Sequence, residues 1–506
     1  MQLPFQRPEI RCRTFTSPLV EKVIDDVTSK MVDKDLARLF ENAFPNTLDT
    51  TVRWHVDGKE KSKHTELKRA TRDEGKWEGP QSFVVTGDIN AEWLRDSTNQ
   101  LLQYQPLAMK DEAIFNLILG AINTQAEYVI ESPYCNAFQP PRASKLPATQ
   151  NGQEDSVHPA FEPSFVFECK YELDSLAHFL ALANTFYNHT GSFDFLTPRW
   201  YKALDTVLGV LDQQSQSTFD PETGRFERNT YTFSRQTTQG TETLPLGGVG
   251  NPLNWGTGLI RSAFRPSDDA TILGFYIPAN AQMAVELKKT ADMLAVAKEV
   301  SRAQLLDKRA QTITDGIWEH GVVMHKKYGR VFAYEVDGYG GQILMDDANV
   351  PSLLALPIMG FVERDNVVYQ NTRKMLLSKE GNPYFLKGSA FTGIGGMISP
   401  SNLLWGREEL MEIGPHIGFE YAWPMSLLLQ AMTSDDDTEI SHCIKLVLSV
   451  SPLGLVHESI NVNRIHDYTR SWFAWANSVF AQTILDIAKR KPHLIFGEGA
   501  DAYVVE

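Results

Sequence analysis

The stretch that decides the fold runs from Ser17 to Phe44, SPLVEKVIDDVTSKMVDKDLARLFENAF. Its apolar residues Leu19, Val20, Val23, Ile24, Val27 and Met31 recur every three or four positions. Leu36, Leu39 and Phe40 resume that rhythm after a break at Asp33–Lys34. At 3.6 residues per turn such spacing gathers the apolar side chains into one stripe, so the stretch reads as two amphipathic helices. Comparable stripes cover 111–131, 173–187, 200–211, 280–300, 301–319, 351–359, 365–377, 420–432, 438–451 and 469–489. The periodicity therefore predicts roughly a dozen helical segments.

Between the stripes lie long connections rich in Gly, Pro and aromatics, at 133–167, 217–265, 324–346 and 381–415. The runs 83–86 and 330–334 read as short strands within such connections. Loops of this length are uncommon in compact domains unless they build function. No Ser/Pro-rich or charged boundary splits the chain, and no sequence repeat of fixed period is present. The expectation is an all-α toroid of paired helices, with inner helices lining a closed core and loops at one end building a pocket. It is expected to be one domain over 1–506, with 1–34 as an N-terminal extension and first helix; a two-domain helical array is the alternative.

Composition narrows the function classes. The 506 residues are 42% apolar and 22% charged, an ordinary globular balance that excludes a disordered chain, a fibre and a coiled-coil rod. Lys and Arg number 48 against 63 Asp and Glu, a net charge of -15, which suits neither a nucleic-acid backbone nor an anionic membrane surface. No apolar run of membrane-spanning length occurs. A neutral substrate such as a carbohydrate fits, and the 10% aromatic content serves either a large core or sugar-stacking platforms. Cys12, Cys135, Cys169 and Cys443 lack metal-type spacing, which argues against a zinc site; no cofactor is expected. They allow up to two disulfides in an exported protein, with the pairing unassigned. The opening residues carry no apolar stretch of signal-peptide length, while the sequon Asn188-His189-Thr190 keeps a secretory route open. The compartment is undecided: secretory or extracellular if an export signal was trimmed, otherwise intracellular.

Hydrolysis of a sugar acetal needs two carboxyl groups, one protonated to donate to the leaving oxygen and one ionised to activate water or attack. Three segments offer carboxylates in loops or at helix starts beside aromatics. In Phe264-Arg265-Pro266-Ser267-Asp268-Asp269-Ala270, Ser267 or Asp268 is placed to cap a helix beginning near Ile272. Two adjacent aspartates exceed what a cap requires, like charges side by side push one pKa upward, and Arg265 can hold the other ionised. In Gly454-Leu455-Val456-His457-Glu458-Ser459, a carboxylate flanked by imidazole and amide groups can stay charged and hold a water; an ordinary exposed loop glutamate is the bland alternative. In Thr86-Gly87-Asp88-Ile89-Asn90-Ala91-Glu92-Trp93-Leu94-Arg95-Asp96-Ser97, a strand-to-helix junction carries an Arg–Asp pair beside an indole, suited to binding hydroxyls and stacking a sugar face. A structural ion pair on a core Trp would look the same. The acidic stretches 168–175 and 345–351 read either as pocket lining or as acidic helix starts.

Taken together, Thr86–Ser97, Tyr171–Ser175, Phe264–Ala270, Asp346–Asn349, Asn382–Gly388, Trp423–Ser426, His457–Ser459 and Thr469–Asn477 resemble, in order, the motifs of glycoside hydrolase family 125. The resemblance extends over about 35–490, and the N-terminal wording Arg7–Phe15 is similar to fungal members. It implies an (α/α)6 barrel and an exo-acting, inverting, metal-independent α-1,6-mannosidase that takes α-1,6-mannosides. Another α-toroid exo-glycosidase, such as an α-glucosidase, or a catalytically silent carbohydrate-binding protein is the alternative, and a monomer is expected. The resemblance places the general acid at Asp268 or Asp269 and the general base at Glu458. It puts Asp88, Trp93, Arg95 and Asp96 around the terminal mannose, with Arg265, His416, His457, Arg470 and Trp472 nearby. One departure is an insertion at 397–412 between Gly393-Ile394-Gly395-Gly396 and Gly414-Pro415-His416, which bears on the pocket mouth.

Overall fold

The structure is a computed structural model that describes residues 2–58, 79–395 and 420–505. Thirteen helices of the described residues build its frame: α1 (Pro18–Lys30), α2 (Lys34–Ala43), α3 (Leu94–Leu101), α4 (Glu112–Glu131), α5 (Leu173–Thr190), α6 (Pro198–Gln214), α7 (Ile277–Val296), α8 (Val300–Gly316), α9 (Leu356–Met359), α10 (Val367–Leu376), α11 (Pro424–Met432), α12 (Asp437–Ser449) and α13 (Ala474–Arg490). From α2 onward they alternate between an outer and an inner layer. The inner helices α3, α5, α7 and α9 touch in succession, α11 touches α13, and α13 returns to α3. Outer helices pack behind them, α2 on α13, α4 on α5, α8 on α7 and α12 on α11, while α1 lies on α2. This is the expected toroid of helix pairs.

The two layers begin differently, and the difference follows from sequence. Most outer helices carry a side-chain cap: Asp33 on α2, Asp111 on α4, Thr197 on α6, Asn366 on α10 and Asp436 on α12 each accept from backbone N–H groups of the first turn. The inner helices start from Trp93, Glu172, Tyr276, Trp423 and Phe473, none of which makes a cap bond. Short antiparallel strands lead into them instead. The pair Glu92–Trp93 runs into α3, Phe275–Tyr276 into α7 and Tyr421–Ala422 towards α11, each within a three-stranded sheet. The positive ends of the inner helices thus point at the long connections, where carboxylates are stabilised.

Burial separates the layers too. All eight residues of α3, Leu94-Arg95-Asp96-Ser97-Thr98-Asn99-Gln100-Leu101, are buried although most are polar. Many of their polar groups find partners on other elements: Gln125 donates to Ser97 Oγ at 2.8 Å, Asn99 meets His178 at 3.0 Å and Gln100 donates to the Val85 carbonyl at 3.0 Å. α4 is long and apolar enough to cross a membrane, but here most of it is buried against neighbouring elements.

Several expectations shift. The strands at 83–86 and 330–334 are Gln81–Val84 and Gly329–Phe332. No helix follows Asp269 directly; a loop and the short strand Phe275–Tyr276 intervene before α7 begins at Ile277, so neither Ser267 nor Asp268 is a helix cap. α3 escaped the periodicity because its buried faces are polar. Cys135 and Cys169 form a disulfide, while Cys12 (exposed) and Cys443 (buried) are free.

Candidate active site

After α12 the chain turns at Gly454, whose φ is +78° and where a Cβ would sit 2.6 Å from the Pro4 carbonyl oxygen. Only glycine permits that approach. The turn delivers His457 and Glu458 to the loop end. Glu458 is 1% exposed. Thr469 Oγ1 donates to its Oε2 at 2.8 Å, and Arg470 Nε pairs with Oε1 at 3.2 Å. Burial pushes this carboxyl up from its ordinary range; Arg470 and Thr469 oppose the shift, and Asp88 adds to it. Arg470 also pairs with Asp88, tying the loop after Gln81–Val84 to the segment beyond Glu458. His457 donates from Nδ1 to the Arg470 carbonyl at 2.9 Å and stacks on Tyr468, with ring centroids 4.0 Å apart. Burial lowers its pKa, so the ring is neutral at pH 7. Trp472 lies over Gly87, where φ is +140° and a Cβ would meet the indole at 3.2 Å.

In the first turn of α3, Arg95 Nη1 donates to Glu172 Oε2 at 2.7 Å and lies 3.5 Å from Asp174, while its Nε is 3.4 Å from Asp96. Its guanidinium sits 5.4 Å from the Trp475 ring. Asp96 is buried and pushed up to about 7, first by burial. Arg95 and Arg470 pull it back, and the charges of Asp268 and Glu458 both push it further. Asp96 therefore stands within electrostatic reach of carboxylates from two distant segments.

The Arg265–Ala270 loop supplies the third element. Asp268 adopts a left-handed φ of +69°, which costs a residue with a Cβ about 1 kcal/mol. Its Oδ1 is 3.9 Å from Lys170 Nζ, which in turn is 3.2 Å from Glu168. The Asp268 charge also contributes to the raised pKa of Glu172 and Asp174, the latter pushed up to about 6 chiefly by burial. Asp269 is buried on another side, 3.5 Å from Ser267 Oγ and within the field of Arg265. The two neighbours thus have different surroundings: Asp268 looks onto the Lys170–Arg95–Asp96 cluster, while Asp269 is beside Ser267 and Arg265, with its charge also felt at Tyr384.

The structure gathers Asp88, Arg95, Asp96, Asp268, Glu458 and Arg470 into one charged network, with His457 bound to the Arg470 backbone and Trp472 at its edge. Trp93 faces elsewhere, packing on Phe167 at 5.4 Å with Ala91 and Ala137; the indole against Arg95 belongs to Trp475. Arg265 is fully buried against Glu335. His416 and the 397–412 insertion lie outside the described residues. The stretch 168–175 read either as pocket lining or as an acidic helix start; the burial of Lys170, Glu172 and Asp174 beside Arg95 and Asp268 favours the first. Among the described residues no group of three or more His, Cys, Asp or Glu side chains is arranged to hold a metal ion.

An (α/α)6 barrel whose inner-helix starts surround buried carboxylates is a glycoside hydrolase architecture. The model of the metal-independent alpha-mannosidases (GH125) matches residues 33–485, and the chain belongs to that family. It is 52% identical over 496 residues to the meiotically up-regulated gene 157 protein of Schizosaccharomyces pombe, covering 98% of this chain and 90% of that one. A Streptococcus pneumoniae metal-independent alpha mannosidase, solved in a non-productive complex with alpha-1,6-mannobiose, superposes with a TM-score of 0.77 at 30% identity. That match covers 94% of this chain and 99% of the bacterial one.

Proposed function

We propose that this α-mannosidase is exo-acting, removes terminal α-1,6-linked mannose and inverts the anomeric configuration. In this reading Asp268, protonated, gives its proton to the glycosidic oxygen as the C1–O bond breaks. Glu458, ionised, takes a proton from a water that attacks C1 on the opposite face, and the products are β-mannose and the shortened glycoside. A row of ion contacts supports it: Lys170 Nζ lies 3.9 Å from Asp268, Arg95 Nε 3.4 Å from Asp96 and Arg470 Nε 3.2 Å from Glu458. The charges of Asp268 and Glu458, some 190 positions apart, both push Asp96 upward. Arg470 suits Glu458 to the base role, because a cation at 3.2 Å favours the ionised form of a buried carboxylate. Asp268 is preferred to Asp269 because it is the one that belongs to that row.

Asp88, Arg95, Asp96, His457, Arg470 and Trp472 are assigned to the terminal-mannose subsite, with His416 proposed beside them; Arg265, buried on Glu335, and Trp93, packed on Phe167, are not assigned to it. The alpha-1,6-mannobiose held by the bacterial relative supports the linkage. The enzyme is proposed to act as a monomer, with 1–506 as one catalytic domain. Proton NMR of an α-1,6-mannobiose digest tests the reading: β-mannose must appear first and mutarotate. Initial α-mannose, or hydrolysis of the matched glucosyl disaccharide instead, overturns it.

A further inference from the structure

The Asp268 loop is held by a carboxylate outside every sequence motif. Glu335 lies in the two-residue strand Glu335–Val336, paired on one side with Phe275–Tyr276 at the start of α7 and on the other with Gln342–Ile343. It is fully buried, and both oxygens are committed to the same loop. Oε1 accepts from Arg265 Nε at 2.6 Å. Oε2 accepts from the backbone N–H groups of Ile272 and Leu273 at 3.0 and 2.9 Å. One carboxylate thus pins the entry and the exit of the loop, with Asp268 midway between.

Inside those pins the backbone closes on itself. Arg265 N–H donates to the Asp269 carbonyl at 2.8 Å, and Asp268 N–H donates to the Arg265 carbonyl at 2.9 Å. Phe264 and Ala270 form an antiparallel bridge. A left-handed non-glycine residue persists only where its surroundings over-determine it. Truncating one partner of a buried ion pair is costly because the other charge is stranded, so the Arg265–Glu335 pair is a rigid fixture.

We infer that Glu335 is a positioning residue whose grip on Arg265, Ile272 and Leu273 holds Asp268 in the conformation that presents its carboxyl to the leaving group. The inference rests on the assignment of Asp268 as general acid. It predicts a signature that general loss of fold would not give: damage should fall on substrates needing a proton at the leaving oxygen and spare those that do not.

The test compares α-1,6-mannobiose with 2,4-dinitrophenyl α-mannoside, whose leaving group departs unprotonated. Glu335→Gln keeps the shape and loses the charge; Glu335→Asp keeps the buried charge, and with it the fold, but is one methylene too short to reach both ends. Each is expected to lower kcat on mannobiose roughly 100-fold, within the range of general-acid catalysis, while changing the aryl substrate less than about 5-fold. Equal losses on both substrates, or unchanged mannobiose turnover in the folded Glu335→Asp enzyme, overturn the inference. Asp268→Asn separates the underlying assignment: if it keeps full mannobiose activity the acid assignment fails, whatever Glu335 does. If it reproduces the leaving-group selectivity and the Glu335 variants do not, the positioning role alone fails.

Discussion

Arg470 Nε lies 3.2 Å from Glu458 Oε1, and that carboxylate is almost wholly withdrawn from solvent. Burial pushes the Glu458 carboxyl up from its ordinary range, and the guanidinium opposes that shift in part, favouring the charged form. Because Arg470 also reaches Asp88, two loops that meet only in the folded protein share one cation.

Removing the Glu458 charge should end catalysis without ending binding. Glu458→Gln is expected to lower kcat on α-1,6-mannobiose by at least about 10²–10⁴, while isothermal titration still detects the disaccharide. Near-full activity would remove Glu458 from the base role.

Arg470→Met should move the pH profile in a defined direction. The groups facing Glu458 are Arg470 and Thr469, which lower its pKa, and Asp88, which raises it; Asp96 shares the field. Without the cation the base stays protonated to higher pH, so the acidic limb of kcat/KM should shift upward by about one unit. A limb that stays put or moves down contradicts the electrostatic role.

Glu92 yields a stability prediction. It is fully buried, accepts from Val84 N–H at 3.1 Å, and is pushed up to about 8 by burial. Between the ordinary value of 4.5 and 8 the unfolded chain releases this proton while the folded protein keeps it. Folding stability therefore falls as pH rises through that window, by roughly 1.4 kcal/mol per unit for such a group. Glu92→Gln has no proton to lose. Its Tm relative to the parent should rise steadily from pH 5 to pH 8, and a constant difference would refute the shift.

The Cys135–Cys169 bridge brackets working residues. Between its cysteines and the centre stand Asn136, which donates to Glu168 and Glu172 at 3.2 Å, and Lys170, whose N–H donates to Asn136 Oδ1 at 3.0 Å. With the cysteines separated by 34 in sequence, loss of the link should cost about 3–4 kcal/mol. Cys135→Ser/Cys169→Ser is expected to lower both Tm and kcat, because Lys170 sits beside Asp268. An unchanged Tm would show that the bridge does not hold this wall.

Legibility in the sequence followed the range of the interaction. Outer helices were readable because one apolar stripe and a capping Asp, Asn or Thr are local signals, as at Asp33, Asp111 and Asp436. For α3 only its start was readable, as the strand-to-helix junction at Thr86–Ser97: Ser97, Thr98, Asn99 and Gln100 bury polar groups against partners on other elements, leaving no apolar rhythm to give its extent. The Asp268–Asp269 pair stood out as chemistry, yet adjacency hid that one residue is left-handed and faces Lys170 while the other sits beside Ser267 and Arg265. Glu335 gave no local signal, and Trp475, though within the Thr469–Asn477 motif, was not singled out, since each matters through a partner distant in the chain.

By itself the sequence determined the helical architecture, the candidate carboxylates and, by resemblance, the family, because periodicity, capping and motif order reside in neighbouring residues. Only the tertiary structure decided which carboxylates share a centre, which aspartate faces it, which indole lies on Arg95 and which cysteines join. Those outcomes depend on distance and burial between segments such as 88–96, 264–270 and 457–470. Coulombic coupling and desolvation exist only once the barrel has closed around them.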